Sequence, residues 1–178
     1  MEIIEGKIRG LLIIKPDIYE DNRGLFLETW NEKEYYYKLG EIDFVQDNLS
    51  QSKKGVLRGL HFQDPSWQDK LISVIKGEVF DVAVDIRVGS KTFGQWEGII
   101  LNEVEKKQFF IPKGFAHGFE VLSDYAIFSY KCSNFYFSEE SYTLMWNDPD
   151  IGIKWYTKEP LLSDKDKEGI LLRDLNFG

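Results

Sequence analysis

Residues 78–87, EVFDVAVDIR, set Phe80, Val82, Val84 and Ile86 on one side of an extended chain and Asp81, Ala83, Asp85 and Arg87 on the other. A period of two marks a strand, because successive side chains of extended backbone leave on opposite faces, whereas a helix needs apolar residues three and four apart. The same kind of segment, short and rich in β-branched and aromatic side chains, returns at residues 11–14, 25–30, 71–75, 98–101, 108–111, 119–122 and 126–130, with Gly, Pro, Asp and Asn between them. Only residues 31–39, closed by Gly40, carry a helical pattern, with a second short helix expected near the C-terminus. At 178 residues the chain is expected to form one domain, residues 1–178, around a single core.

Many short strands in one domain predict an all-β fold, most economically a jelly-roll β-barrel of the cupin type with a few short peripheral helices. If the sheets curl into such a barrel, the polar face of residues 78–87 lines a cavity and Asp81 points at whatever binds there. Alternatively, that face is the solvated outside; this stretch alone leaves both readings open. The formal charge is −8, from 22 Lys and Arg against 30 Asp and Glu distributed along the chain. Such a balance argues against nucleic acid and membrane surfaces as partners, while a local basic pocket for a phosphorylated small molecule remains compatible with it. Cys132 is the only cysteine, which excludes an internal disulfide and a Cys-based zinc site. No apolar run follows a basic start and nowhere do 18 apolar residues follow one another, so a cytoplasmic protein is expected.

The two histidines, His61 in RGLHF and His117 in FAHGF, stand 56 residues apart, and neither belongs to an H-x-H or H-x-x-x-H pair. A catalytic metal usually takes about three protein ligands, so no metal is expected. Acid–base chemistry is the better reading. His61, Lys70, Tyr130 and an acid are what proton abstraction beside a ketone requires. The pK gap between an unperturbed imidazole and such a carbon acid is on the order of ten units or more, each worth about 1.36 kcal/mol. A general base contributes roughly 10²–10⁴-fold, so a fixed cation must also hold the developing oxyanion. Lys70, nine residues after His61 across the turn QDPSWQD, is a candidate for that cation. A carboxylate on the second imidazole nitrogen would fix the tautomer, and inverting a stereocentre calls for a proton donor on the opposite face, for which a phenol such as Tyr130 is suited. Strand parity sends Arg58 and His61, three apart, to opposite faces; both can line one cavity only if a bulge or bend intervenes, and Gly59 is its expected place.

Eight stretches, in order and at compatible spacing, resemble the dTDP-4-dehydrorhamnose 3,5-epimerase family: DNRGLFLETW (21–30), QDNLSQS (46–52), VLRGLHFQ (56–63), QDKLISVIKGEVFDVAVDIRVGSKTFGQW (68–96), IPKGFAHGFEVLS (111–123), YKC (130–132), WNDPDIGIKW (146–155) and LLSDKD (161–166). The resemblance implies a metal-independent, cofactor-free enzyme acting on a dTDP-linked 4-keto-6-deoxy sugar. It implies that His61 takes the C5 and C3 protons, Asp166 partners that histidine, Tyr130 reprotonates and Lys70 holds the keto oxygen. It places Arg23, Glu28, Gln46, Asn48, Arg58, His117 and Lys165 against sugar, pyrophosphate or nucleoside, and Tyr136 against the thymine ring. It further implies a homodimer exchanging an N-terminal strand, with Arg23 and Glu28 serving the partner's site. One segment departs: YFSEES puts Ser138 and Ser141 where the family has Pro and Glu, with Glu139 or Glu140 as compensating carboxylates. The rival readings are a C3-only epimerase, a ketoisomerase of the same barrel and a non-catalytic sugar-binding module.

Overall fold

Thirteen strands and two short helices make up residues 1–176, the part of the chain that the computed structural model describes. In chain order they are β1 (Glu2–Glu5), β2 (Leu12–Lys15), β3 (Tyr19–Asp21), β4 (Gly24–Phe26), α1 (Glu32–Leu39), β5 (Gln46–Lys53), β6 (Leu57–Gln63), β7 (Lys70–Lys76), β8 (Glu78–Asp85), β9 (Trp96–Asn102), β10 (Gln108–Ile111), β11 (Phe115–Val121), β12 (Tyr125–Cys132), β13 (Ser141–Thr143) and α2 (Asp164–Lys167). Two sheets form the barrel, a six-stranded one in the order β1-β2-β10-β7-β12-β5 and a five-stranded one in the order β13-β6-β11-β8-β9. Strands β3 and β4 form a separate antiparallel ribbon. This is the expected all-β jelly roll. Among the described residues, no helix is long and apolar enough to cross a membrane.

The alternation that announces β8 has an unexpected sense. Phe80, Val82, Val84 and Ile86 do not face the space between the sheets; they pack with Leu60, Phe62, Ala116, Leu144 and Ile151 beneath Ile153, Trp155, Leu172 and Leu175 of the C-terminal segment. The polar-looking face turns inward, where Asp81 and Asp85 are both 0% exposed, so the solvated-outside alternative falls. Between the sheets, Ile8, Leu11, Val79, Leu101, Phe109 and Ile111 close one end of the barrel, and the core ends on Phe119 and Phe128, stacked at 3.9 Å. The other end is left open. Each fully buried Leu, Val or Phe contributes about 1.5–3 kcal/mol, so both the inter-sheet core and the outer layer under the C-terminal segment matter for holding the wall in place.

Helix α1 follows its sequence signals: Asn31 caps it, its side chain accepting the Glu34 N–H at 3.4 Å, and Gly40 ends it at φ 86°. Residues 25–30 were expected to form a strand, but only Gly24–Phe26 do, in the ribbon, with Leu25 and Phe26 exposed at 49% and 65%. The run LFLETW has a strand's composition but no sheet in this chain to join. Strand β5, QDNLSQSK, carries almost no apolar signal and yet pairs along its whole length with β12.

Candidate functional site

A cavity of about 610 Å³ occupies the open end of the barrel, walled by β5, β6, β7, β11 and β12 and closed on one side by residues 161–166. Ten of the twelve expected site residues line it: Gln46, Asn48, Arg58, His61, Lys70, His117, Tyr130, Tyr136, Lys165 and Asp166. Arg23 and Glu28 are not brought to it. Arg23 lies on the exposed ribbon, paired with Asp21, and Glu28 accepts a hydrogen bond from Asn31 at the start of α1. Strands β1 and β2 pair into this chain's own sheet, which leaves the β3–β4 ribbon as the N-terminal element standing apart from the barrel.

Arg58 and His61 share the cavity because β6 is irregular between them. The β11–β6 register shifts between His117 and Phe119, opposite Gly59. There φ is +116°, and a Cβ on Gly59 would stand 2.6 Å from Gly118 Cα and from the His117 carbonyl oxygen. Only glycine allows the two strands to approach so closely. Leu60 and Phe62 then point to the outer layer, and His61 points inward.

His61 Nε2 lies 2.6 Å from Asp166 Oδ1. A carboxylate there accepts the Nε2–H, which leaves Nδ1 as the basic nitrogen of the neutral ring. Asp166 reaches this position because Ser163 caps α2, accepting the Asp166 N–H at 3.2 Å, and because the parallel bridge Val56↔Leu161 ties the incoming segment to β6. Its side chain is 4% exposed against 39% for His61. Burial alone would raise the Asp166 carboxyl, but the bond to His61, helped by Ser163 and the Gly59 backbone, holds it below the ordinary carboxylate range.

His117 forms a second imidazole–carboxylate pair, with Nε2 3.0 Å from Asp81 Oδ2. Strand register brings this pair together, since β11 and β8 place Phe119 opposite Asp81 and His117 opposite Ala83. Both side chains are buried, at 8% and 0% exposure. Burial lowers the His117 pKa, with Asp81 opposing the effect and Lys70 and His61 adding to it, which favours the neutral ring.

Lys70, at the start of β7, is 8% exposed, and its ammonium has no hydrogen-bond or ion-pair partner among the described residues. Burial draws its pKa down, and the nearby Cys132 and Asp81 oppose that. Tyr130 lies on β12 with Asn48 of β5 as its cross-strand neighbour. Burial is the main influence raising its phenol pKa, which keeps the group a proton donor. Arg58 donates Nε–H to Ser52 at 3.0 Å. Phe119 and Phe128 form the apolar floor. Among the described residues, no three of His, Cys, Asp and Glu gather where they could hold a metal ion.

At the rim, the departing segment behaves differently from the expectation. Glu140 accepts the Ser66 N–H and Glu139 the Ser138 hydroxyl, and neither is among the residues that line the cavity. Ser141 does line it, accepting from Lys165 Nζ at 2.9 Å. Sequence reading missed Gln63 and Gln68, because glutamines in strands and turns carry no signal that separates lining from solvated face. It pointed Asp81 at the bound molecule, whereas Asp81 turns inward but is not among the lining residues and instead pairs with His117, a contact set by strand register.

Residues 5–174 match the sequence family described as dTDP-4-dehydrorhamnose 3,5-epimerase. A relative of that name from Shigella flexneri is 49% identical over 179 residues, covering 99% of each chain. The crystal structure of a dTDP-6-deoxy-D-glucose-3,5-epimerase from Legionella pneumophila, in complex with dTDP-4-keto-L-rhamnose, superposes with a TM-score of 0.96 at 52% identity, covering 98% of this chain and 94% of that one. A dTDP-4-dehydrorhamnose 3-epimerase from Streptomyces niveus is more distant, 38% identical over 94% of this chain and 82% of its own length.

Proposed function

The chain belongs to the dTDP-4-dehydrorhamnose 3,5-epimerase family and is an isomerase, and on that premise we propose that it inverts C3 and C5 of dTDP-4-dehydro-6-deoxy-D-glucose with His61 as base, Lys70 as oxyanion holder and Tyr130 as acid. His61 Nδ1 takes the proton from C5; the C–H electron pair becomes the C4–C5 double bond, and the carbonyl π pair moves onto O4. The Lys70 ammonium, itself only 8% exposed, stabilises the enolate oxygen so formed, since a fixed charge out of solvent counts for more than one in water. Tyr130 then delivers its phenolic proton to the opposite face of C5. Exchange with solvent returns a proton to Tyr130 and removes one from His61, and the same cycle follows at C3.

The observation that supports this reading most is the 2.6 Å contact between His61 and Asp166 on the wall of a cavity that Lys70 and Tyr130 also line. Of the two imidazole–carboxylate pairs, that of His61 suits the base: 39% of its side chain is exposed, against 8% for His117. His117, locked to Asp81, suits a ligand contact. Arg58 and Lys165 supply positive charge for a pyrophosphate, which a net charge of −8 does not prevent, because the neutralisation is local. Tyr136 suits a stack on the thymine ring. The protein acts as a homodimer in which the exposed β3–β4 ribbon and the residues that follow it carry Arg23 and Glu28 to the neighbouring cavity.

Inversion at both carbons is favoured over C3 alone because the relatives at about half identity, 49% and 52%, are 3,5-epimerases, while at 38% both a 3,5-epimerase and the 3-epimerase are found. Turnover in D₂O tests the proposal. Label at C3 and C5 is expected, and label at C3 alone would select the single epimerase. His61→Asn should abolish exchange at both carbons while leaving dTDP binding in place, and near-normal exchange would overturn the assignment of the base.

A further inference from the structure

The backbone that carries Tyr136 belongs to neither sheet. Between the end of β12 and the short 3₁₀ turn Ser138–Glu140, residues 133–137 have no strand partner, and Phe135 and Tyr136 are each 56% exposed. A segment of this kind would ordinarily be loosely held. Here its peptide groups are bound one after another by glutamine side chains from the cavity wall. Gln68 Nε2 donates to the Asn134 and Phe135 carbonyls at 2.9 and 3.2 Å. Gln63 Nε2 donates to the Phe135 carbonyl at 3.0 Å and to the Ser66 carbonyl at 2.9 Å, while its Oε1 accepts the Phe137 N–H at 2.8 Å. Gln46 Oε1 accepts the Tyr136 N–H at 3.0 Å. The peptide groups on both sides of Tyr136 are therefore tied to β5, β6 and the β6–β7 turn.

Gln63 is only 5% exposed, and its amide has two donors and one acceptor committed in this way. A buried amide so used is expensive to replace: a glutamate of the same shape would set a carboxylate against two carbonyl oxygens. The site is also asymmetric. The groups near the proposed chemistry are held by strand pairing and by carboxylates, whereas the two peptide groups that flank Tyr136 are held by glutamine amides, with Ser133 tied to Asp69 and the Phe135 N–H taken by Asn134 further back in the segment.

We propose that Gln63 and Gln68 are positioning residues for nucleotide recognition, fixing the 134–137 backbone so that the Tyr136 ring stands ready as a stacking surface before the ligand arrives. The inference rests on the reading of Tyr136 as the surface for the base. Preorganisation of this kind removes an ordering cost from binding, so its loss appears in affinity more than in the chemical step.

Isothermal titration with dTDP alone, on the full-length protein, tests it through a double-mutant cycle. Tyr136→Ala, Gln63→Glu and the pair of substitutions are compared with wild type, and Gln68→Leu, nearer the rim, serves as the milder variant should Gln63→Glu fail to fold. Each single substitution is expected to raise Kd by roughly 10-fold, the scale of one base–aromatic stack. The Gln63 or Gln68 effect should largely vanish in the Tyr136→Ala background, because a positioning residue has nothing left to position. In turnover, KM should rise far more than kcat falls. Additive losses, or an unchanged Kd in the glutamine variants, would overturn the positioning role. If Tyr136→Ala itself leaves Kd unchanged, the stacking reading fails instead, so the two failures are distinguishable.

Discussion

Replacing Asp166 by Asn removes one charge from a buried contact and changes little else in shape. The carboxylate oxygen stands 2.6 Å from His61 Nε2 and its side chain is 4% exposed. During proton abstraction the ring becomes an imidazolium, and two unit charges with centres about 4 Å apart attract by about 4 kcal/mol at an effective dielectric constant of 20. His61 keeps 39% of its side chain exposed, so screening reduces this to about 2–3 kcal/mol, the range of a charge-assisted hydrogen bond. At about 1.36 kcal/mol per factor of ten, kcat falls about 30- to 160-fold. Asparagine can also present an N–H to Nε2, which selects the other tautomer and moves the ring proton to the nitrogen that should act as base, so this fall is a minimum. The assay is NMR detection of solvent deuterium entering C5 and C3 of dTDP-4-dehydro-6-deoxy-D-glucose, with circular dichroism and dTDP binding as controls on the fold and the nucleotide end. If kcat stays within about threefold of wild type while the fold is intact, electrostatic support of His61 by Asp166 is refuted.

Tyr130→Phe should still allow loss of the C5 proton but impair its return to the opposite face; an unchanged epimer ratio with full deuterium incorporation would remove Tyr130 from the acid role. Gly59→Ala should cost about 3 kcal/mol or more, since the new Cβ meets backbone at 2.6 Å and sits at φ +116°, and a melting temperature equal to wild type would show that the β6–β11 approach can relax. Burial would raise the Asp85 carboxyl, but Arg87, Ser90 and Thr92 together hold it down at about 2 instead of the ordinary 3.8, so the stability it contributes, about 2 kcal/mol, is complete above about pH 4 and is lost as the pH falls through about 2. Acid unfolding monitored by tryptophan fluorescence should accordingly be less steep in Asp85→Asn than in wild type, and identical profiles would contradict the assignment. If the ribbon serves a neighbouring subunit, mixing inactive Arg23→Ala and His61→Asn chains should restore activity to roughly a quarter of the wild-type value, because half the dimers gain one intact site; no recovery would place Arg23 in its own chain's site or in none.

The strands that build the wall were legible where one face is uniformly apolar, as in residues 78–87, and illegible where the inner face is itself the site. Strand β5 shows this most clearly. Its inward row of Gln46, Asn48, Ser50 and Ser52 is polar because it faces a cavity or an arginine, so hydrophobic periodicity passed over it. Residues 25–30 failed in the opposite direction, since Leu25 and Phe26 are exposed on the ribbon and Trp30 packs against Tyr35 outside any strand. The His61–Asp166 contact was reached from family resemblance. Nothing in local pattern connects residues 105 positions apart, and the contact depends on the Ser163 cap and the Val56↔Leu161 bridge. The irregularity at Gly59 followed from parity once the resemblance put both Arg58 and His61 in one cavity: two residues three apart cannot share a face of regular strand, so the backbone between them had to bend.

Strand β8 has its adhesive side chains outside, under the C-terminal segment, and its carboxylates inside. The two faces of one strand are thereby released from each other's constraints. No β8 side chain is among those that line the cavity, and Asp81 reaches it only by holding His117, so this strand can grip the C-terminal segment from outside while its inner carboxylate sets the place of a residue on another strand.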